Sequence, residues 1–262
     1  MTDTGRRVAF VTGATSGIGL AVTELLARQG IAVFGVARNE ENIRGLVKRL
    51  REEEGLEVDG TAADVSSTEQ VKAAVEAAVA AYGKIDILVN NAGRGGGGET
   101  AKLDEQIWLD VIDTNLNSVF RVTKEVLSTG GMLAGGWGRV VNIASTGGKQ
   151  GVALAAPYSA SKHGVVGFTK AVGIELAKSG VTVNAVCPGY VETPMAQRVR
   201  QGYAGHYGVT EEQIQEKFEA KIPLGRYSTP EEVAGLVGYL VTDTAASITA
   251  QALNVCGGLG NY

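Results

Sequence analysis

The chain has 262 residues, a formal charge of −4 at pH 7, 44% hydrophobic residues and 20% charged ones. That balance excludes a chain too polar to fold, and an isoelectric point near 5.4 excludes the generally basic surface that draws nucleic acid or an anionic membrane. No run reaches the roughly 20 apolar residues of a membrane span, and Cys187 and Cys256 lie far apart without metal-ligand spacing, so a soluble, cytoplasmic protein with reduced thiols and no metal is expected.

After a short polar arm, the first buried strand reads Val8–Val11. It leads into Thr12-Gly13-Ala14-Thr15-Ser16-Gly17-Ile18-Gly19, and the stretch that follows, Leu20–Gln29, has its apolar residues at helical spacing. Strand, glycine turn and helix in that order predict a dinucleotide site: glycine lets the backbone approach a pyrophosphate, and the helix N-terminus offers it free N–H groups. The next strand, Ala32–Val36, exits at Ala37-Arg38. An acid is expected there in an NAD enzyme, whereas a guanidinium suits a ribose 2′-phosphate, so NADPH is the predicted cofactor.

A third strand is expected to end at Asp64-Val65 and a fourth, Ile85–Val89, to run into Asn90-Asn91-Ala92-Gly93. Further strands are read at Arg139–Ile143, Thr182–Val186 and Gln251–Val255. Continuous Val/Ile/Leu runs separated by amphipathic stretches predict a parallel sheet covered on both faces. The expected architecture is α/β, a single-domain, doubly wound, Rossmann-like sheet spanning residues 1–262. One section breaks the rhythm. Residues 197–226 are polar and predicted to be helical in their second half, and they are read as a lid at the carboxyl ends of the strands, with a solvated surface helix as the alternative.

Strand Arg139–Ile143 ends in Ala144-Ser145, and Tyr158 and Lys162 lie four residues apart in the next helical stretch. That spacing puts both on one helix face, where an ammonium is expected to lower the phenol from about 10 toward a working range. By itself the pair is a common coincidence. Joined to Ser145 and the glycine loop, it is the expected acid–base centre.

The spacing Gly13, Gly17, Gly19 with Ser145, Tyr158 and Lys162 resembles the short-chain dehydrogenase/reductase family over essentially the whole chain. The segments Ser145–Val152, Tyr158–Gly167 and Ala250–Tyr262 narrow the resemblance to ketoreductases of aromatic (type II) polyketide synthases, the actinorhodin ketoreductase type. The resemblance implies that Tyr158 protonates a ketone oxygen, Ser145 hydrogen-bonds that oxygen, Lys162 also holds the cofactor ribose, and Asn115 completes a proton relay. It implies that Asp64 and Val65 meet the adenine, that Asn91, Ala92 and Gly93 flank the cofactor, and that Pro188, Gly189, Val191 and Thr193 meet the nicotinamide. It implies a substrate too, a poly-β-ketone on an acyl carrier protein, reduced at C9, and a homotetramer.

Substrate contacts are expected from Arg94, Gly95, Gly96, Gly97, Val152 and Tyr203, and glycine at 95, where the actinorhodin type has proline, is expected to loosen the pocket rim. Arg38 and Arg94 are the candidate cations for an acidic carrier. Two other readings stay open: a 3-oxoacyl-carrier-protein reductase of fatty acid synthesis, and a non-enzymatic NADPH-binding sensor or scaffold. His163 is read as structural, Trp108 as packing, and His206 as a lid residue, with substrate contact only the lesser alternative.

Overall fold

In the computed structural model, residues 5–262 are described, and the first four residues of the polar arm lie outside them. Strands Val8–Thr12 (β1), Ala32–Ala37 (β2), Val58–Ala62 (β3), Ile87–Asn90 (β4), Gly138–Ile143 (β5), Val181–Pro188 (β6) and Ala252–Val255 (β7) form one parallel sheet in the order β3-β2-β1-β4-β5-β6-β7. The α-helices, in chain order, are Gly17–Arg28 (α1), Glu40–Val47 (α2), Thr68–Tyr82 (α3), Glu105–Ile112 (α4), Ser118–Ser128 (α5), Met132–Gly135 (α6), Ala156–Glu175 (α7), Pro194–Tyr207 (α8), Glu211–Glu219 (α9) and Pro230–Leu240 (α10). The winding reverses between β3 and β4, which flank opposite sides of β1 and β2. The crevice where ligands bind in such sheets therefore opens at the carboxyl ends of β1 and β4.

Successive strand residues point to opposite faces, and both faces are dry. On one side Ala9, Val11, Val33, Val89, Val141 and Val186 pack with Val22 and Leu26 of α1 and Val237 and Leu240 of α10. On the other, Phe10, Phe34, Leu88, Val140 and Val183 pack with Val71 and Val75 of α3 and Val122 and Val126 of α5. Each fully buried side chain of this size contributes roughly 1.5–3 kcal/mol, which is why the strands read as unbroken apolar runs. Polar exceptions sit inside the sheet: Asn90 Nδ2 donates to Asn142 Oδ1 at 2.8 Å and to Thr123 Oγ1 at 3.0 Å, and Asn142 Nδ2 donates to Thr169 Oγ1 at 2.9 Å. Each partner satisfies the other, and so their burial is tolerated.

Several expectations need correction. β3 stops at Ala62, so Asp64-Val65 lies in the turn after the strand, where Asp64 Oδ1 accepts from the backbone N–H and the hydroxyl of Ser66 at 2.9 and 2.7 Å and bends the chain. The lid is helical in its first half as well as its second. Thr193 caps α8 by accepting from the Ala196 N–H at 3.2 Å with Pro194 in the first turn, Gly208 ends the helix at φ +67°, and Thr210 starts α9 with a capping box to Gln213. Among the described residues no helix is long and apolar enough to cross a membrane.

Candidate active site

The loop Gly13–Gly19 leaves β1 with Gly13 at φ +67° and Gly17 at φ +53°, conformations that side chains with a Cβ rarely adopt. A Cβ on Gly19 would collide with the Gly13 carbonyl and with Asn91 Nδ2, and one on Gly17 would lie 3.1 Å from Thr193 Cγ2. Ser16 stands at the N-cap of α1 without a side-chain bond to the helix. Asn91 Nδ2 donates to the carbonyls of Thr12 (3.0 Å) and Gly13 (3.2 Å), and Thr12 Oγ1 accepts from the N–H groups of Asn91 and Ala92 at 3.0 Å. The end of β4 is thereby stitched to the glycine loop. The N–H groups of Gly13 and Ala14 donate to Val36 O, bringing the exit of β2 alongside, where Arg38 is exposed and makes no ion pair among the described residues. A backbone cradle without side chains, a helix N-terminus and a free guanidinium fit a dinucleotide carrying an extra phosphate.

Three side chains from separate segments converge on Gly147. A Cβ there would lie 3.4 Å from both Ser145 Oγ and Tyr158 Cε1 and 3.1 Å from Val152 Cγ2. Ser145 follows β5 and accepts from the Gly147 N–H at 3.0 Å, on the same side of Gly147 as the Tyr158 ring. Tyr158 opens α7, and Lys162 one turn on is 6% exposed, with Nζ 5.8 Å from the Tyr158 ring centre and donating to Ile143 O at 2.7 Å.

Asn115 sits in a π-helical turn, Asp113–Asn117, that joins α4 to α5, a local widening common at functional sites. Its Oδ1 accepts from Arg94 N–H at 2.8 Å, and its Nδ2 donates to Arg94 O at 2.9 Å and to Ser161 Oγ at 3.2 Å. Gly93 lies between the two groups, with a virtual Cβ 3.3 Å from Asn115 Oδ1 and 3.8 Å from Lys162 Nζ.

Burial pushes the Tyr158 phenol up, and the neighbouring Ser145 hydroxyl pulls it only partly back. The lowering expected from the four-residue spacing is thus outweighed by desolvation, and the ammonium makes its hydrogen bond to Ile143 O. Burial also pushes Lys162 down from its ordinary 10.5 to about 8. The unfolded chain holds that proton up to about pH 10.5 and the folded chain sheds it near 8, so the lysine's cost is full below pH 8 and is relieved as pH rises through that window. Lys162→Met is therefore expected to raise the unfolding free energy by about 1–3 kcal/mol at pH 7, offset in part by the orphaned Ile143 carbonyl. The gain should shrink toward pH 10, as urea melts at pH 7 and 9.5 will show.

The rim of the cleft is built from the Arg94–Gly98 loop, residues 152–155 and α8. Gly96 abuts Val111, whose Cγ2 would lie 2.5 Å from an added Cβ, and a Cβ on Gly97 would collide with the Leu154 carbonyl, which also accepts from the Gly98 N–H at 2.7 Å. Leu154 is held at φ +62°, a strained conformation for this residue type. Gly95 has room, since its nearest neighbour is Val199 Cγ2 at 3.9 Å from a virtual Cβ. Tyr203 of α8 donates its hydroxyl to Ala153 O at 2.6 Å, so α8 rests on the loop before α7. Arg94 is ion-paired with Asp110 at 2.7 Å.

Pro188 ends β6, the Gly189 N–H donates to Val255 O, and Val191 is 6% exposed and bridged to Ser228. His163 Nδ1 bonds Ser159 O at 2.9 Å on its own helix, and His206 is exposed beside Tyr207. Trp108, expected to pack, is 41% exposed on α4. Two contributors escaped the sequence reading: the Ile143 carbonyl, which carries no residue signal, and Arg200, a charged residue in a polar helix that gives no hint of being buried.

Residues 7–204 match the family model described as short chain dehydrogenase. The chain is 69% identical over 262 residues, 100% of both chains, to a ketoacyl reductase of the monensin polyketide synthase of Streptomyces virginiae. It is 63% identical over 255 residues, 97% of this chain and 93% of the other, to a ketoacyl reductase of the granaticin polyketide synthase of Streptomyces violaceoruber. Among solved structures it resembles a Phe-to-Trp variant of actinorhodin polyketide ketoreductase with NADPH, at a TM-score of 0.95 and 60% identity, covering 98% of each chain. On the glycine cradle, the Ser145–Tyr158–Lys162 cluster and these matches, the chain belongs to the short chain dehydrogenase family.

Proposed function

We propose that this chain is an NADPH-dependent ketoreductase of aromatic polyketide biosynthesis that reduces one ketone, at C9, of a poly-β-ketone held on an acyl carrier protein. The observation that carries the chemistry is the convergence of Ser145, Tyr158, Lys162 and Asn115 beside the glycine cradle. Bound NADPH supplies the hydride. Gly13, Thr15, Ser16, Gly17, Ile18 and Gly19 hold its pyrophosphate, Arg38 its 2′-phosphate, Asp64 and Val65 its adenine, and Asn91, Ala92 and Gly93 its flank. Pro188, Gly189, Val191 and Thr193 orient the nicotinamide amide.

Tyr158 Oη gives its proton to the ketone oxygen while the Ser145 hydroxyl donates a hydrogen bond to the same oxygen, stabilising charge as it develops. Lys162, anchored on Ile143 O, holds the ribose hydroxyls, and Asn115 fixes the Arg94 backbone next to it, where a relay returning a proton to the phenol would pass. Arg94, Gly95, Gly96, Gly97, Val152 and Tyr203 form the substrate side. Residues 1–262 act as one domain in the cytoplasm. Exposed Trp108 and Leu109 on α4 and Phe120 on α5 support a homotetramer by leaving apolar surface to cover.

The test is NADPH oxidation with a fused bicyclic ketone, a linear acetoacetyl thioester and a sterol ketone. Turnover highest on the bicyclic ketone is expected, and preference for the linear thioester would favour the fatty-acid reductase reading. Docking of the acidic carrier is assigned to Arg38 and Arg94, the second partly neutralised by Asp110. Arg94→Glu is expected to lower kcat/KM for a carrier-bound ketone several-fold more than for the free bicyclic ketone, and equal losses would remove Arg94 from the docking surface.

A further inference from the structure

Arg200, on the second turn of α8, is 6% exposed, a position a guanidinium tolerates only when paired. Its Nη1 and Nη2 donate to the two carboxylate oxygens of Glu192 at 2.8 and 2.9 Å, and its Nε donates to Glu211 Oε1 at 3.0 Å. Its guanidinium carbon lies 5.4 Å from the centre of the Tyr227 ring. Glu192 stands between Val191 and Thr193, and Glu211 opens α9. One buried cation therefore ties the loop after β6 to both lid helices.

The same loop is held to the lid and to the segment that follows it by other means. Tyr190 stacks on Phe218 of α9 at 4.7 Å and on Tyr227 at 5.3 Å. The Glu192 N–H donates to Ser228 O at 3.0 Å and the Ser228 N–H to Tyr190 O at 2.9 Å. At the far end Thr193 lies against Gly17 of the glycine loop. The lid has an apolar cluster of its own, with Ala204, Ile214, Phe218, Ile222 and Tyr227, and a buried ion pair is a poor substitute for more of that packing. What the fork of Arg200 adds is a fixed geometry between three segments, which a lysine's single ammonium cannot reproduce.

We propose that Arg200 is a positioning residue that couples the lid to the nicotinamide-facing loop, so that α8 and α9 move with Val191–Thr193 as one body and closure over the ketone is linked to the grip on NADPH. The proposal rests on the reading of Val191 and Thr193 as nicotinamide contacts. Because coupling is reciprocal, a change made on the lid side must be felt at the cofactor.

NADPH affinity, read by fluorescence titration of the full chain, tests this in Arg200→Met, Arg200→Lys, Glu211→Gln and the Arg200→Met/Glu211→Gln double variant. Glu211→Gln is expected to weaken NADPH about 3–10-fold although it lies on α9, and Arg200→Met about 10–100-fold, with Arg200→Lys restoring little of it. The double variant should bind no more weakly than Arg200→Met, since the bridge is already gone. Single variants within about twofold of the parent, or losses that simply add, overturn the proposal. If Arg200→Met does not fold, Glu192→Gln, Glu211→Gln and their combination read the same non-additivity from half-exposed positions. A parent that reduces ketones normally without this coupling sinks the Arg200 proposal alone, whereas coupling in a parent that reduces no ketone sinks the functional reading alone.

Discussion

Tyr158→Phe is expected to lower ketone reduction by about 10²–10⁴-fold while changing NADPH affinity by no more than about twofold. The substitution keeps the ring that packs beside Gly147 and Val152 and removes only the phenolic proton. Hydride delivery then generates an alkoxide with no adjacent acid, and the Ser145 hydroxyl, which donates a hydrogen bond without transferring its proton, supplies the residual rate. The loss should fall on kcat, because the missing interaction is made in the transition state. Burial holds the phenol above its ordinary 10, so the parent should stay protonated and active through neutral pH and lose reduction only in the alkaline limb. Steady-state kinetics with a fused bicyclic ketone, alongside a pH profile of the parent, check both statements. Full reduction by the variant removes Tyr158 from the mechanism.

Arg38→Asp is expected to reverse the cofactor preference, with kcat/KM for NADPH falling at least about 10²-fold and that for NADH rising. A charge-assisted hydrogen bond to phosphate contributes roughly 1.5–3 kcal/mol, and the new carboxylate adds repulsion toward a 2′-phosphate while giving a free ribose diol its acceptor. The site is suited to a clean exchange: Arg38 is exposed at the exit of β2, makes no ion pair among the described residues, and precedes Asn39, which caps α2 independently by accepting from the Asn42 N–H at 2.9 Å. The ratio of the two kcat/KM values in parent and variant is the readout. Equal values for NADH and NADPH in the parent would remove Arg38 from cofactor selection.

Much of the architecture was legible because local chemistry and global fold demand the same residues. Val/Ile/Leu runs are what a strand buried on both faces requires, and the glycines at 13 and 17 are what a left-handed backbone beside Thr193 and Asn91 requires. The misread parts have a common cause. The end of β3, the first helix of the lid and the exposure of Trp108 depend on caps, turns and neighbours that a hydrophobic pattern does not encode. Arg139, read as the first residue of an apolar strand, is 3% exposed, and its guanidinium donates to the Thr242 and Gly180 carbonyls at 3.4 Å, partners that only the fold supplies.

What the sequence determined by itself was the order of strands and helices, the glycine loop, the cation after β2 and the four-residue step from Tyr158 to Lys162. Each is a short-range property, set within one turn or one strand end. What only the tertiary structure decided was how those pieces act on one another. The ammonium of Lys162 is aimed at Ile143 O, Asn115 is spent on the Arg94 backbone, Gly97 is pressed against Leu154, and Arg200 joins the lid to the loop beside the glycine cradle. Those relations hang on backbone carbonyls and on contacts between distant segments, and the direction of the Tyr158 and Lys162 shifts follows from desolvation. Desolvation is a property of the packed interior and not of any residue spacing.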